Sequence, residues 1–166
     1  MRTESRAKQV SAAKGQEGQA VLVEFMFSTI FLMLLIFSTF ELFGLLYTYN
    51  VMADAAKEGV RYAVVHGVNN SNSSGPSTQQ TKSTPPCTSS NNNNSTAANV
   101  ITRVQQFAGL SLHDTSNMNV YVCYLDGNNL LTSQVEVAIN YPFRPFFHMS
   151  WPSLTINANS AGRIVF

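Results

Sequence analysis

From Ala20 to Tyr47 the chain is apolar almost without interruption, and its only formal charges there are Glu24 and Glu41. A bilayer core is crossed by about 20 apolar residues in a helix. The pattern therefore predicts one membrane-spanning helix with room for tilt. A signal peptide is the competing reading, but its apolar region runs for about 7–15 residues before a small-residue cleavage site. Here the run is longer, and bulky Leu42-Phe43-Gly44-Leu45-Leu46-Tyr47 closes it, which predicts a retained anchor.

The period then changes character without breaking. Met52, Ala55, Ala56, Gly59, Val60 and Ala63 recur at helical spacing, while Asp54, Lys57, Glu58 and Arg61 fall largely elsewhere. Asp54 and Lys57 are placed to pair at i,i+3. One continuous helix from Gln19 to Val65 is expected, about 70 Å long at about 1.5 Å per residue. Its first half is apolar on every side, and its second half offers a small-residue stripe on which a domain can pack. Gly67, after His66, supplies a common helix stop.

Residues 67–99 are mostly Asn, Ser, Thr, Gly and Pro, with Lys82 the one charge. Too little apolar surface is available there to offset ordering entropy, so a flexible surface loop is expected. The acceptor patterns Asn72-Ser73-Ser74 and Asn93-Asn94-Ser95 carry little weight in so Asn/Ser-rich a segment. Val100, Ile101, Val104, Phe107 and Ala108 then share one helix face, closed by Gly109. Alternation over Met118–Tyr124, over Val135–Tyr141 and over Leu154–Ile164 predicts three strands, with Asp126-Gly127-Asn128-Asn129 as a turn. The aromatic, proline-interrupted stretch from Pro142 to Pro152 reads as a loop that packs or touches the membrane surface. The expected fold is α+β and membrane-anchored: a long N-terminal transmembrane and amphipathic helix, a short helix, and a small antiparallel β-meander. The expected divisions are a basic leader (1–18), the span (19–49), the amphipathic extension (50–66), the polar loop (67–99) and an exported α+β domain (100–166).

Charge adds an orientation and removes some functions. Arg2, Arg6, Lys8 and Lys14 precede the span, and the first cation after it is Lys57. The positive-inside rule puts the short N-terminus in the cytoplasm and residues 50–166 outside. A net charge of +1 over 166 residues makes no electrostatic case for nucleic acid or for an acidic substrate. Tyr47 and Tyr49 read as anchors at the outer interface. Glu24 is costly in a bilayer, about 2.5–3.5 kcal/mol at the centre. It reads either as an interfacial charge marking the helix end or as an acid that pairs with another subunit during assembly. Glu41 reads as a solvated residue near the outer interface. If the domain is exported, Cys87 and Cys123 can form one disulfide; otherwise they are two unpaired thiols, one on a loop and one on a strand. His66, His113 and His148 have no spacing that gathers them on a metal, and His113-Asp114 is a loop dipeptide. No phosphate-binding glycine loop, G-x-S-x-G or H-E-x-x-H is present. Neither enzymatic activity nor a cofactor is expected.

The start of the span, Gly18-Gln19-Ala20-Val21-Leu22-Val23-Glu24-Phe25, resembles the G-Q-A-x-V-E-F start of the TadE-like family, minor pseudopilins of the tight-adherence (Tad/Flp) pilus machinery. Phe40-Glu41-Leu42-Phe43-Gly44 with Tyr47 resembles that family's E-F-G-x-x-Y. Asn50, Ala53 and Ala55-Ala56-Lys57-Glu58-Gly59-Val60-Arg61-Tyr62-Ala63 resemble its continuation. Val135-Glu136-Val137 through Tyr141-Pro142-Phe143 and Pro145 resemble, more loosely, a recurrent V-x-V-x-Y-x-F-x-P. The resemblance implies a subunit of the bacterial inner membrane that acts in pilus biogenesis and adhesion. Its partners would be a prepilin peptidase, other Tad/Flp pilus subunits, inner-membrane platform proteins and the lipid bilayer, with no nucleic acid. It implies a cut between Gly18 and Gln19, with Glu24 as the acid that neutralises a neighbouring subunit's N-terminal amine. The family spacing makes that acid the fifth residue of the mature chain, whereas a cut after Gly18 makes Glu24 the sixth. Gly15 is the poorer alternative, since it leaves Glu17 and Glu24 both downstream. A membrane-anchored surface adhesin that no peptidase processes is the rival with the same topology.

Overall fold

The computed structural model describes residues 2–145 and 154–165, with side chains from residue 19 onwards. Five elements follow in order: helix α1 (Arg2–Val65), helix α2 (Ala98–Gly109), and strands β1 (Asn119–Tyr124), β2 (Gln134–Phe143) and β3 (Leu154–Arg163). The chain divides into two units, Met1–Phe43 and Gly44–Phe166. The first is helix alone. The second holds the last part of α1, α2 and the sheet.

Helix α1 begins earlier than the apolar pattern suggests, at Arg2 rather than Gln19. The leader contains Ala, Lys, Arg, Gln and Glu and no proline, so its residue preferences favour helix and nothing stops it. The far end is closed by side chains rather than by a glycine alone. The last carbonyls of a helix lack intrahelical partners, and here they find others. His66 Nδ1 lies 2.8 Å from Tyr62 O, and the imidazole stacks on the Tyr62 ring at 3.8 Å. Asn70 Nδ2 donates to Val65 O at 2.9 Å. Val165 N–H donates to Val64 O at 3.0 Å.

In the second unit the sheet is an antiparallel meander in the order β1-β2-β3. β1 pairs with β2 from Asn119↔Asn140 to Tyr124↔Val135. β2 pairs with β3 from Gln134↔Arg163 to Phe143↔Leu154. The sequence pattern ended β2 at Tyr141, but the strand continues through Pro142 and Phe143. Alternation along β2 turns the Pro142 nitrogen to the side where β1 has already ended, so the missing N–H removes no ladder bond. Of the stretch read as a membrane-touching aromatic loop, residues 146–153, His148 among them, lie outside the described residues.

One face of the sheet carries Val120, Val122, Tyr124, Val135, Val137, Ile139, Ile156 and Ala158 into a single core. Against it pack Val100, Val104 and Ala108 from α2 and Met52, Ala55, Ala56, Val60 and Ala63 from α1, which are the stripe the helical period marks out. α1 lies so close that a Cβ at Gly59 would collide with the Val104 methyl and reach Val137 and Val100 at 3.4 and 3.6 Å. Over-filling such a contact costs about 1–3 kcal/mol. The helix-propensity gain on replacing glycine is at most about 1 kcal/mol. Gly59→Leu is therefore expected to lower the denaturation midpoint of the full chain in detergent. A midpoint equal to or above the parent's would mean that α1 does not sit this close.

Candidate functional site: the membrane helix and its seat

Within α1, residues 19–65 form the one described helix long and apolar enough to cross a membrane, with a mean hydropathy of 2.5 over its most apolar window. Phe25, Phe27 and Phe31 are 68–70% exposed, a surface that water does not tolerate and lipid does. Polar groups in a span must be satisfied internally, and the threonines do this. Thr29 Oγ1 donates to Phe25 O at 2.9 Å, Thr39 Oγ1 to Leu35 O at 2.8 Å and Thr48 Oγ1 to Gly44 O at 2.8 Å. Each hydroxyl returns to the carbonyl four residues earlier and presents only its methyl.

Glu24 stands on this surface among Val21, Leu22, Val23 and Phe25, all exposed. Among the described residues it forms no ion pair. The peptide between Gly18 and Gln19 lies in the α1 backbone, six residues before Glu24. Glu41 is half-buried. Tyr47 and Tyr49 are both about half exposed, and the Tyr47 hydroxyl donates to Ser111 O at 3.1 Å.

The seat of α1 is tied at its rim by one ion pair between α1 and α2, and a second pair lies within α1. Glu58 Oε1 accepts from Arg103 Nη2 at 2.9 Å and from Nε at 3.1 Å. Lys57 Nζ meets Asp54 Oδ1 at 2.9 Å, the i,i+3 pair that the spacing implied. Both are exposed enough to contribute under about 1 kcal/mol each; the core beneath them holds the helix.

On the other side of the sheet Cys87 and Cys123 are joined in a disulfide, with Cα atoms 5.7 Å apart and a sequence separation of 36. It fixes the polar segment against β1. That segment was read as a flexible loop from composition, and the structure gives it a dense set of polar partners instead. Asn94 Oδ1 accepts from Val122 N at 2.9 Å while its Nδ2 donates to Val120 O at 2.8 Å. Asn93 Oδ1 accepts from Tyr124 N at 2.8 Å, and Asn93 N–H donates to Val122 O at 2.7 Å. Two asparagines thus do for the β1 edge what a fourth strand would do. In the sequence they stand in a run of four asparagines, Asn91 to Asn94, inside the segment whose composition predicts a flexible loop.

Tyr124 is buried beneath the same segment, and its hydroxyl donates to Ser74 O at 2.7 Å. Gly75, at φ +107°, leaves the space its ring needs, since any Cβ there would meet it. Desolvation is the main cause that pushes the Tyr124 phenol up to about 12, against a lowering contribution from the Ser74 side chain. His113 and Asp114 lie on the turn before β1, and hydrogen bonds from Ser116, chiefly its side chain, hold the Asp114 carboxyl below its ordinary value. That favours a solvated carboxylate over a poised base. Among the described residues no group of His, Cys, Asp and Glu gathers to hold a metal.

Closing a loop of this length contributes about 4 kcal/mol through the unfolded chain. Reduction, or Cys87→Ser with Cys123→Ser, is therefore expected to lower stability by about that amount; an unchanged midpoint under reductant would show the bond adds nothing. For Tyr124 the folded value lies above the unfolded one, so its contribution is complete below pH 10 and is lost as pH rises toward about 12. Chemical unfolding should lose about 2–3 kcal/mol across that window, and Tyr124→Phe should show a flatter profile. Parallel profiles would remove Tyr124 as the cause.

Comparison with known proteins gives one family. The model of the TadE-like protein family matches residues 20–61, which are the apolar part of α1 and most of its seat. No curated protein matches the chain, and no solved structure does.

Proposed function

We propose that this chain is a non-enzymatic, single-pass pseudopilin-like component of a Tad/Flp-type pilus assembly system, acting in pilus biogenesis and adhesion. The observation that carries the reading is the family match over residues 20–61. It falls on a helix whose first part suits lipid and whose second part packs on a small α+β domain. The family is one of pilus components rather than catalysts.

In this reading the cations at Arg2, Arg6, Lys8 and Lys14 keep the N-terminus in the cytoplasm of a bacterial inner membrane, and the domain lies on the far side. A prepilin peptidase cuts between Gly18 and Gln19. Glu24, which forms no ion pair among the described residues, pairs with the new N-terminal amine of a neighbouring subunit. An ion pair of that kind gains strength in a low-dielectric setting. Export also places Cys87 and Cys123 where a disulfide persists.

The test is intact mass and N-terminal sequencing of protein from its native membrane, with and without active peptidase. A new N-terminus at Gln19 is expected. An N-terminus left at Met1 or Arg2 beside an active peptidase would favour the unprocessed surface adhesin instead. A hydrogen-bonded charge pair contributes about 1.5–3 kcal/mol, so Glu24→Ala should reduce co-assembly with the pilus machinery by roughly tenfold or more. An adhesin anchored by the same helix would tolerate the change.

A further inference from the structure

The sheet has two edges, and the chain treats them oppositely. The β1 edge is closed by Asn93 and Asn94. The β3 edge has no pairing strand or cap among the described residues. Ile164 N–H donates to Ser133 O at 3.0 Å, so the even-numbered residues of β3 bond toward β2. The N–H and C=O groups of Thr155, Asn157, Asn159 and Ala161 therefore point away from the sheet, and none has a hydrogen-bond partner among the described residues. Proteins usually blunt such an edge with proline, lysine or a bulge. This ten-residue strand has neither proline nor lysine, and its one charge, Arg163, stands at its last position. Beside its first half runs an apolar groove of about 390 Å³, formed by Leu45, Leu46 and Tyr49 of α1 with Leu154, Thr155, Ile156 and Asn157.

We propose that the β3 edge is a strand-acceptor site for an extended segment of a different membrane-associated polypeptide, proline-free and carrying an aliphatic or aromatic side chain that fills the groove. Backbone pairing supplies the hold and the groove supplies the selection, which is how strand addition works elsewhere. A second copy of this chain pairing antiparallel through its own β3 edge is excluded by direction. Leu154–Asn157 lie beside residues 45–49, whereas Gly162 lies against Val60 and Val64, so β3 runs in the same direction as α1. Two β3 edges paired antiparallel would point their α1 helices in opposite directions, and two copies anchored alike in one membrane cannot do that. This exclusion rests on the anchored reading above. A lipid chain fills the groove but offers nothing to a row of amides.

Residue-resolved hydrogen exchange tests it, on the full chain in detergent micelles and in native membrane vesicles. In micelles the amides of Thr155, Asn157, Asn159 and Ala161 should exchange freely, while Ile156, Ala158 and Ser160 are slow. In native vesicles the first set should slow by roughly 100-fold, and the alternation should vanish. Asn157→Pro and Asn157→Lys should restore it without moving the unfolding midpoint, because the Asn157 N–H is not used by β2; Asn159 is avoided because its amide bonds Glu136. Unchanged exchange in native vesicles would overturn the proposal. So would protection that rises with protein concentration in micelles, which means self-pairing, or protection reproduced in vesicles of extracted lipid alone. An uncut N-terminus would sink the pilus reading and leave this exchange pattern untouched.

Discussion

A helix that enters a bilayer must leave no polar group unsatisfied on its surface, and the same helix here must also present a face that a folded domain can cover. Every other feature depends on how α1 meets these two demands. Up to Phe43, Glu24 apart, it does so with bulky apolar side chains and threonines folded back on their own turn. From Met52 it does so with alanines, a glycine and a valine, side chains short enough to bring the sheet and α2 against the backbone. The change is one of side-chain size rather than polarity, because lipid accepts any apolar shape and a protein core accepts only those that fit.

The small domain owes its stability to more than its core. Three strands and two helices bury a modest set of valines, alanines and isoleucines. Domains of this size often add covalent or polar ties. Here the tie is the segment between the helices, which has almost no apolar residues to bury. The Cys87–Cys123 bond and the asparagines at 93 and 94 hold it against β1. Its contribution is to close one sheet edge and to cover Tyr124. The capped β1 edge and the β3 edge, which has no partner among the described residues, are two outcomes for the same kind of backbone.

The family match reaches only residues 20–61, and this agrees with where physical demands are strictest. Span, stripe and close approach at Gly59 all fall inside it or at its border. The β domain beyond needs only a face for α1 and a finished edge, and many sequences meet those terms.

Much of the architecture is legible from residue pattern alone. The apolar run, the helical stripe from Met52 to Ala63 and the alternation in three strands each reflect a local period imposed by burial on one side, and a period can be read without knowing the partner. The position of Glu24 and of the Gly18-Gln19 peptide is a matter of sequence in the same way. Other features were decided only in three dimensions. Asn93 and Asn94 became edge caps, Gly75 became the space for Tyr124, and Pro142 was accepted in a strand, because each depends on a residue far away in the chain. Composition reads a polar segment by what it cannot bury. Whether its amides meet an unpaired strand edge depends on where the fold brings that edge, and no local pattern records it.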